Sequence, residues 1–328
     1  MSDIDMIRAA RARIGDNLRR TPLLSAPALD DIAGRRVLLK AECLQITGSF
    51  KARGGWSAVS AIAPEIRARG VIAFSSGNHA QGVAHAAREH GVPAVILMPK
   101  DAPRAKIDGT RALGAEVVLF DREQDDRDAM GAELAQARGL TLIKPFDDAL
   151  VIAGQGTLGL ELAAQAASRG IAEAEVLVCC GGGGLTSGVA LALEADAPGL
   201  RARSCEPEGF DDVARSLAAG EICRNDRLSG SICDAIVTPQ PGNLTFPILK
   251  RLCGPGLVVT EDEVLRAMAL AFRHLRVVIE PGGAVSLAAA LFHPEALGSD
   301  TVIAVATGGN VDPALYARAL ETLPETMA

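Results

Sequence analysis

The residue best placed for covalent chemistry is Lys51, in the stretch TGSFKARGG at positions 47–55. Small residues on both sides, with a Gly-Gly pair after it, would let the backbone approach another molecule closely. A lysine buried in such a place has a lowered pKa, and its neutral amine is a nucleophile or a base. The stretch alone leaves two interpretations open, a reactive buried amine and an ordinary solvated lysine.

Four consecutive glycines separate an apolar run from a helical pattern in EVLVCCGGGGLTSGVALAL, positions 175–193: Gly181, Gly182, Gly183 and Gly184. Without Cβ atoms, such a loop can turn its N–H groups inward, and the helix that begins near Leu185 adds the positive end of its dipole. A phosphate group is therefore favoured over a simple flexible turn. The pattern is neither the dinucleotide motif G-x-G-x-x-G nor a Walker loop, which disfavours NAD and ATP.

Two further glycine-bearing segments follow apolar runs. SSGNHAQG at 75–82 offers hydroxyls, an amide and free N–H groups, which suit a carboxylate, although Ser76 or Asn78 as a plain helix cap is an equally open alternative. VATGGNVD at 305–312 places Thr307 before two glycines. Three such strand ends and a lysine among small residues favour one ligand crevice over unrelated turns.

The elements that must position these residues alternate between short apolar runs and amphipathic stretches. The runs predict strands at 36–42, 70–76, 93–99, 115–121, 175–180 and 301–309. The helical spacing predicts helices at 78–90, 125–138, 155–169, 185–194, 261–276 and 312–321. Strand and helix in alternation predict an α/β fold with open, mainly parallel sheets and helices on both faces.

Composition excludes several functional classes. The chain of 328 residues has 48% hydrophobic and 22% charged residues, as in a soluble globular protein, and a net charge of -7 with 3% aromatics argues against nucleic acid as a partner. No segment has the length or character of a signal peptide or a membrane span, so the cytoplasm is expected. The seven cysteines lack zinc-binding spacing and are expected to be buried and unpaired.

Taken in this order and at these separations, the segments TGSFKARGG, SSGNHAQG, CGGGGL and TGGNVD resemble those of the fold type II pyridoxal-phosphate enzymes, and among them the serine/threonine dehydratase and serine racemase group. The resemblance covers essentially the whole chain. It implies a two-lobed fold like the tryptophan synthase β chain, with a large cofactor-binding domain from residues 1–51 and 146–328 and a small mobile domain from 52–145. A homodimer acting on a small amino acid is also implied.

The resemblance assigns roles to residues of this chain. It implies that Lys51 bonds to the cofactor aldehyde, that Phe50 packs on the ring, that Asn78 meets the ring hydroxyl and that Thr307 meets the pyridine nitrogen. The phosphate would be bound by Gly181, Gly182, Gly183, Gly184 and Leu185. The substrate carboxylate would be bound by Ser75, Ser76, Gly77, Asn78 and His79, with Ser76 also in the position of a second acid or base.

The expected reaction is the α,β-elimination, by dehydration and deamination, of a β-hydroxy amino acid such as L-threonine or L-serine to a 2-oxo acid and ammonia. The open alternatives are serine racemisation and dehydration of 3-hydroxyaspartate or 3-phenylserine. Ala235, where the animal racemases usually have glycine, favours elimination, and Arg127 is a candidate for contact with an acidic substituent. The resemblance also implies a Mg²⁺ or Ca²⁺ site at Glu206, Phe210 and Asp212, whose alternative is a solvated helix start.

Overall fold

The computed structural model describes residues 2–102, 104–121 and 123–323. Its ten strands are β1 (Leu23–Ser25), β2 (Arg36–Ala41), β3 (Val71–Phe74), β4 (Ala94–Pro99), β5 (Glu116–Phe120), β6 (Thr141–Leu142), β7 (Ala174–Cys179), β8 (Leu200–Pro207), β9 (Leu257–Val259) and β10 (Thr301–Ala306). They form two separate sheets, and both have helices on their faces.

The α-helices of the described residues lie between and around these strands. In chain order they are α1 (Ile4–Ile14), α2 (Pro27–Ala33), α3 (Lys51–Ala61), α4 (Pro64–Arg67), α5 (Asn78–Glu89), α6 (Arg104–Ala112), α7 (Arg127–Arg138), α8 (Ala149–Ala167), α9 (Gly184–Asp196), α10 (Asp212–Ala219), α11 (Thr245–Leu252), α12 (Glu261–Leu275), α13 (Pro281–Phe292) and α14 (Pro313–Leu320). Short 3₁₀ turns occur at Glu42–Leu44, Ile46–Gly48, Asp234–Ile236 and Pro294–Ala296.

The larger sheet has six strands in the order β1-β2-β10-β7-β8-β9, and the smaller has four in the order β5-β4-β3-β6. Every pairing is parallel except that of β1 with β2, which is antiparallel. The predicted α/β class with open, mainly parallel sheets is therefore confirmed. The smaller sheet is built from strands between residues 71 and 142 alone.

Both sheets are buried on both faces, as parallel sheets require. In β10, Val302, Ala304 and Ala306 pack into one hydrophobic cluster, whereas Ile303 and Val305 pack into another on the opposite face. The smaller sheet shows the same alternation, with Ala73 and Ile72 in different clusters. This two-sided burial explains why the strands appear in the sequence as continuous apolar runs rather than alternating ones.

The six predicted strands and the six predicted helices all exist, with ends that differ by a few residues. The largest difference is at α8, which was expected from residue 155 and begins at Ala149. Asp148 explains the earlier start, because its carboxylate accepts hydrogen bonds from the backbone N–H groups of Leu150 and Val151.

Candidate active site

A cavity of about 770 Å³ lies where the carboxyl ends of β3, β7 and β10 approach one another. Ligands of open α/β sheets bind at such strand ends. The cavity wall contains the predicted site residues from all four sequence segments: Phe50, Lys51, Ser75, Ser76, Gly77, Asn78, His79, Gly181, Gly182, Gly183, Gly184, Leu185 and Thr307. The structure thus brings together residues that are up to 257 positions apart, from Phe50 to Thr307.

Lys51 is the first residue of α3, and its side chain enters this cavity. Its Nζ donates a hydrogen bond of 2.7 Å to the carbonyl of Pro145 and lies 5.2 Å from the centre of the Phe50 ring. The residue remains partly accessible, but burial of the amine lowers its pKa to about 8. A substantial fraction of the amine is then neutral near physiological pH, as a nucleophile or base requires.

Close helix packing fixes the position of Lys51. Helices α3 and α5 cross at Gly55 and Gly82, where a Cβ on Gly55 would lie 2.6 Å from the carbonyl oxygen of Gly82. A Cβ on Gly82 would lie 2.7 Å from the carbonyl oxygen of Lys51 itself. The backbone before Lys51 is tied to the end of β10, because the N–H of Phe50 donates to the carbonyl of Thr307 at 3.0 Å. The lysine is therefore held against the segments SSGNHAQG and TGGNVD.

The tetraglycine loop presents unused hydrogen-bond donors to the cavity. In the described part of the chain, no backbone N–H from Gly181 to Leu185 donates a hydrogen bond. The buried hydroxyl of Thr186, on the same wall, also has no partner there. The loop ends at Gly183, whose φ of +89° suits glycine, and α9 begins at the next residue.

This geometry fits a phosphate group. Free N–H groups at the start of a 13-residue helix combine hydrogen bonding with the positive end of the helix dipole. A Cβ on Gly182 would lie 2.3 Å from the ring of Phe146, so a side chain at that position would collide with the cavity wall. Thr245 supports the loop from behind, with its hydroxyl donating to the carbonyl of Gly182 at 2.6 Å.

The loop from Ser75 to His79 opens helix α5, and its N-cap residue Gly77 has no side-chain cap. The Asn78 side chain does not cap the helix: its Nδ2 donates to Oε1 of Glu280 at 2.6 Å. The imidazole of His79 forms a 2.9 Å hydrogen bond with the carbonyl of Ile143. Burial, followed by the nearby charge of Lys51, lowers the pKa of His79 to about 3. His79 is therefore neutral and contributes polarity rather than charge.

Several cavity residues were not predicted from the sequence. Glu280 lies at the N-cap of α13, in IEPGGAV at 279–285, and no cation of the described chain lies within ion-pair distance of it. Lys106 and Asp234 form a 3.3 Å ion pair, and both border the cavity. The only sequence signal for Glu280 is an acidic residue directly before a Pro-Gly-Gly turn, which is also an ordinary helix start.

The predicted cation ligands lie outside the main cavity. Both carboxylate oxygens of Glu206 accept backbone N–H groups, from Val213 at 2.8 Å and Ala214 at 2.7 Å. Oδ1 of Asp212 accepts from Asn225 at 2.6 Å, whereas its buried Oδ2 has no partner among the described residues. Burial and then the charge of Asp212 raise the pKa of Glu206 well above its usual value, and burial raises that of Asp212 to about 6.

These acids show one feature that fits a cation and one that does not. Two buried carboxyls that repel each other, with one oxygen unpaired, would be stabilised by a positive ion. However, the oxygens of Glu206 are already used by a helix start, and no group of three or more His, Cys, Asp or Glu suited to a metal occurs in the described ranges. Phe210 borders a second cavity of about 430 Å³.

Comparison with known proteins places this site in a family. Residues 14–308 match the family model described as pyridoxal-phosphate dependent enzyme. Two similar proteins are L-threo-3-hydroxyaspartate ammonia-lyase of Pseudomonas sp, at 41% identity over 97% of this chain and 98% of that protein, and serine racemase of Arabidopsis thaliana, at 38% over 95% and 94%.

Solved structures agree with the sequence relatives. The maize serine racemase superimposes with a TM-score of 0.90 and 35% identity, covering 98% of this chain and 97% of that one. The T.th. threonine deaminase has a TM-score of 0.89 and 45% identity, covering 94% and 99%. The fold is that of a fold type II pyridoxal-phosphate enzyme. This chain belongs to that family, and pyridoxal phosphate is its cofactor.

Proposed function

We propose that the protein is an ammonia-lyase that converts a β-hydroxy amino acid such as L-threonine or L-serine into a 2-oxo acid and ammonia. The observation that carries the proposal is the meeting of three features in one cavity. These are the buried amine of Lys51, the unused N–H groups of the tetraglycine loop and the polar loop from Ser75 to His79. The relatives described as L-threo-3-hydroxyaspartate ammonia-lyase and L-threonine ammonia-lyase support it.

The cofactor supplies an electron-withdrawing ring, which acidifies the Cα–H bond of an attached amino acid. We propose that it bonds to Lys51, with its phosphate on Gly181, Gly182, Gly183, Gly184 and Leu185. In this arrangement Phe50 would pack against the ring and Asn78 would donate to its hydroxyl oxygen. Thr307 would offer a neutral hydroxyl to the ring nitrogen. A neutral partner does not hold a proton on the nitrogen, which favours reactions whose leaving group departs promptly.

The protein's own residues then handle the substrate and its protons. The N–H and hydroxyl groups of the loop from Ser75 to His79 bind the substrate carboxylate, because they present several donors at the start of α5. The substrate amine first displaces Lys51 from its covalent link, and the released neutral amine of Lys51 then removes the Cα proton as general base. The β-hydroxyl leaves as water, and one water is used again when the C–N bond hydrolyses. The net products are therefore one 2-oxo acid and one ammonia.

A second candidate activity is racemisation of the same amino acids. It is favoured by Ser76, a hydroxyl on the cavity wall that we propose faces the side of the substrate opposite Lys51. Serine racemases occur among the relatives beside the ammonia-lyases. A substrate with an acidic or bulky β substituent, 3-hydroxyaspartate or 3-phenylserine, is a further alternative within elimination. Arg127, an exposed residue 5.7 Å from the Phe74 ring of the cavity wall, stays a candidate for the acidic group.

One panel of substrates tests these activities. Purified protein is incubated with L-serine, L-threonine, L-threo-3-hydroxyaspartate and 3-phenylserine, while 2-oxo acid, ammonia and the D-enantiomer are measured. We expect 2-oxo acid and ammonia in equal amounts, faster than any D-amino acid. Lys51→Ala should lower the rate at least about 10²-fold, as for loss of a general base. Lys100→Ala, which removes an exposed lysine, is the control with an unchanged rate. Faster formation of D-amino acid would instead establish the racemase alternative.

We also propose that Mg²⁺ or Ca²⁺ binds at Glu206, the carbonyl of Phe210 and Asp212. The unpaired Oδ2 of Asp212 supports this site. Adding Mg²⁺ to chelator-treated protein should raise the melting temperature, because a ligand that binds only the folded state stabilises it. The rise should disappear in Asp212→Asn. An equal melting temperature with and without the ion would exclude the site.

The organisation of the molecule completes the proposal. We propose that residues 52–145 move as a small domain against residues 1–51 and 146–328, and that the protein works as a cytoplasmic homodimer. The Lys106–Asp234 pair supports a hinged closure, since it joins α6 of the smaller sheet to a turn of the larger part across the cavity border. None of the helices in the described ranges is long and apolar enough to cross a membrane.

A further inference from the structure

Glu280 contributes a buried carboxyl to the cavity wall, and the proposed reaction does not use this group. It is only 6% exposed. Burial raises its pKa to about 7, although the Asn78 hydrogen bond opposes the shift. The nearest charges that influence it are those of Asp234 and Lys106, on the border of the same cavity. Burying a carboxyl without a cation is costly, so its retention in a ligand cavity needs a reason.

The contacts of Glu280 lead directly to Asn78. Nδ2 of Asn78 donates to Oε1 of Glu280 at 2.6 Å, and Oδ1 of Asn78 accepts from Nδ2 of Asn310 at 2.8 Å. Asn310 is itself fixed, because its Nδ2 also donates to the carbonyl of Thr47 at 2.8 Å. The Asn78 amide therefore has an acceptor on one side and a donor on the other.

This arrangement, with the Glu280 carboxylate ionised, favours one orientation of the amide. If it were flipped, the Asn78 oxygen would face the Glu280 carboxyl and its nitrogen would face the Asn310 nitrogen, so that both hydrogen bonds would be lost. A buried polar group without its partner costs about 1–3 kcal/mol. In the observed orientation one N–H of the Asn78 amide is used by Glu280, and the second N–H is left for a ligand.

The backbone around Glu280 holds this geometry in place. The N–H of Glu280 donates to the carbonyl of Gly308 at 2.9 Å. A Cβ on Gly308 would lie 2.0 Å from Oε1 of Glu280 and 3.2 Å from Nδ2 of Asn78, so only glycine leaves room for the pair. The first glycine of TGGNVD, Gly308, thereby acquires a physical function, which is to admit the carboxyl to the cavity wall.

We propose that Glu280 is a positioning residue: it fixes the Asn78 amide so that the free N–H points to an oxygen acceptor on the cofactor ring. This inference rests on the proposed cofactor site, because the acceptor is the ring hydroxyl oxygen assigned to Asn78. Glu280 needs no contact with the substrate for this role. Its effect on cofactor affinity must pass through Asn78 and must require the ring oxygen.

Cofactor affinity measured with two ligands tests the proposal. Cofactor-free protein is titrated with pyridoxal phosphate and with its 3-deoxy analogue, which lacks the ring oxygen, and the dissociation constants are obtained from the visible absorbance. The variants are Glu280→Ala, Asn78→Ala, the double variant and Glu280→Gln, with the exposed Glu295→Gln as control. Thermal unfolding of each cofactor-free variant is recorded in parallel.

We expect Glu280→Ala to weaken pyridoxal phosphate binding about 10-fold, the size of one charge-assisted hydrogen bond. Asn78→Ala should have a similar effect, and the double variant should be no weaker than either single variant. All the variants and the unmodified protein should bind the 3-deoxy analogue with about equal affinity. Glu295→Gln should have the same affinity for pyridoxal phosphate as the unmodified protein. Glu280→Gln keeps an acceptor, so its affinity for pyridoxal phosphate should lie between those of Glu280→Ala and the unmodified protein. This variant decides the question if Glu280→Ala does not fold.

Three results would overturn the assignment. Additive effects of the two single substitutions, or an equal loss of affinity for both ligands, would show that Glu280 acts independently of Asn78 and the ring oxygen. Unchanged affinity in Glu280→Gln and Glu280→Ala would do the same while leaving the proposed function intact. If the unmodified protein bound neither ligand, the proposed function itself would fail, and the role of Glu280 with it.

Discussion

At the scale of single residues, environment rather than residue type makes Lys51 reactive. The cavity gives its amine no carboxylate partner within ion-pair distance among the described residues, only the carbonyl of Pro145. A carboxylate would have favoured the charged ammonium, whereas a carbonyl partner in a buried position leaves desolvation dominant. Lys40, which is fully buried and paired with Glu161 at 2.6 Å, also has its pKa lowered by burial, but there the charges of Glu161 and Glu42 oppose the shift.

The lowered pKa of Lys51 makes a prediction about pH. Only the neutral amine attacks the cofactor aldehyde, so the neutral fraction should rise as pH increases through about 8, well below the value of 10.5 for an ordinary lysine. We expect the rate at which cofactor-free protein takes up pyridoxal phosphate to rise up to about pH 8 and then level off. Stopped-flow absorbance measures this rate. A rate that keeps rising about tenfold per pH unit beyond 9 would show an unperturbed amine.

At the scale of elements, glycines inside helices set the distances between the site segments, and the same helices were hard to predict from the sequence. Strands were predicted well, because continuous apolar runs bounded by polar residues are distinctive. Among the helices that the sequence did not predict are α3 and α13, and the predicted start of α8 was too late. These helices carry glycines and are largely buried, so they lack the polar face that makes a helix visible in a sequence.

The shortest strands were missed for a different reason. β1, β6 and β9 have two or three residues each, and they exist only because a neighbouring strand supplies their hydrogen-bond partners. No local pattern can reveal such pairing. The same limit applies to Glu280, whose position beside Asn78 depends on a contact across 202 residues. The site residues carried by glycine-rich loops were predictable because their motifs are local.

The crossing of α3 and α5 yields a prediction about Gly82. In Gly82→Ala the new methyl group would press on the Lys51 carbonyl, a backbone atom that cannot move aside without shifting α3. We expect a loss of about 1–3 kcal/mol in the free energy of unfolding, together with weaker cofactor binding. Chemical denaturation and absorbance titration measure the two effects.

The matched control for this substitution is Gly109→Ala. Gly109 lies inside α6, and a Cβ there would meet no atom within 4 Å. Alanine should therefore raise the free energy of unfolding by about 0.5–1 kcal/mol, since it restricts the unfolded chain and favours the helix. If both substitutions had the same effect, close packing at Gly82 would not be what positions Lys51.

At the scale of the whole molecule, a buried cluster of charges connects the parts that surround the site. The guanidinium of Arg53, two residues after Lys51, pairs with Glu42 at 2.8 Å and with Glu161 at 2.7 Å. Lys40 of β2 also binds Glu161, so the cluster joins the larger sheet, α3 and α8. The charges of the two cations, Lys40 and Arg53, balance those of the two carboxylates, and all four side chains are buried.

Removing one member of this cluster should cost far more than removing an exposed pair. Arg53→Met would leave Glu42 and Glu161 without their guanidinium, and we expect a loss of about 3–5 kcal/mol in the free energy of unfolding. Arg8→Met is the control, because Arg8 pairs with Asp196 at the surface and should cost less than about 1 kcal/mol. Urea denaturation compares the two variants. Equal losses would contradict the importance assigned to the buried cluster.

The most direct test of the account is to locate the covalent link between protein and cofactor. Purified protein is reduced with borohydride, digested and mapped by mass spectrometry. We predict one phosphopyridoxyl group, on Lys51, with loss of the visible absorbance and with no label in Lys51→Ala. A label on another lysine, such as Lys106 or Lys144, or protein that carries no label after incubation with pyridoxal phosphate, would contradict the account.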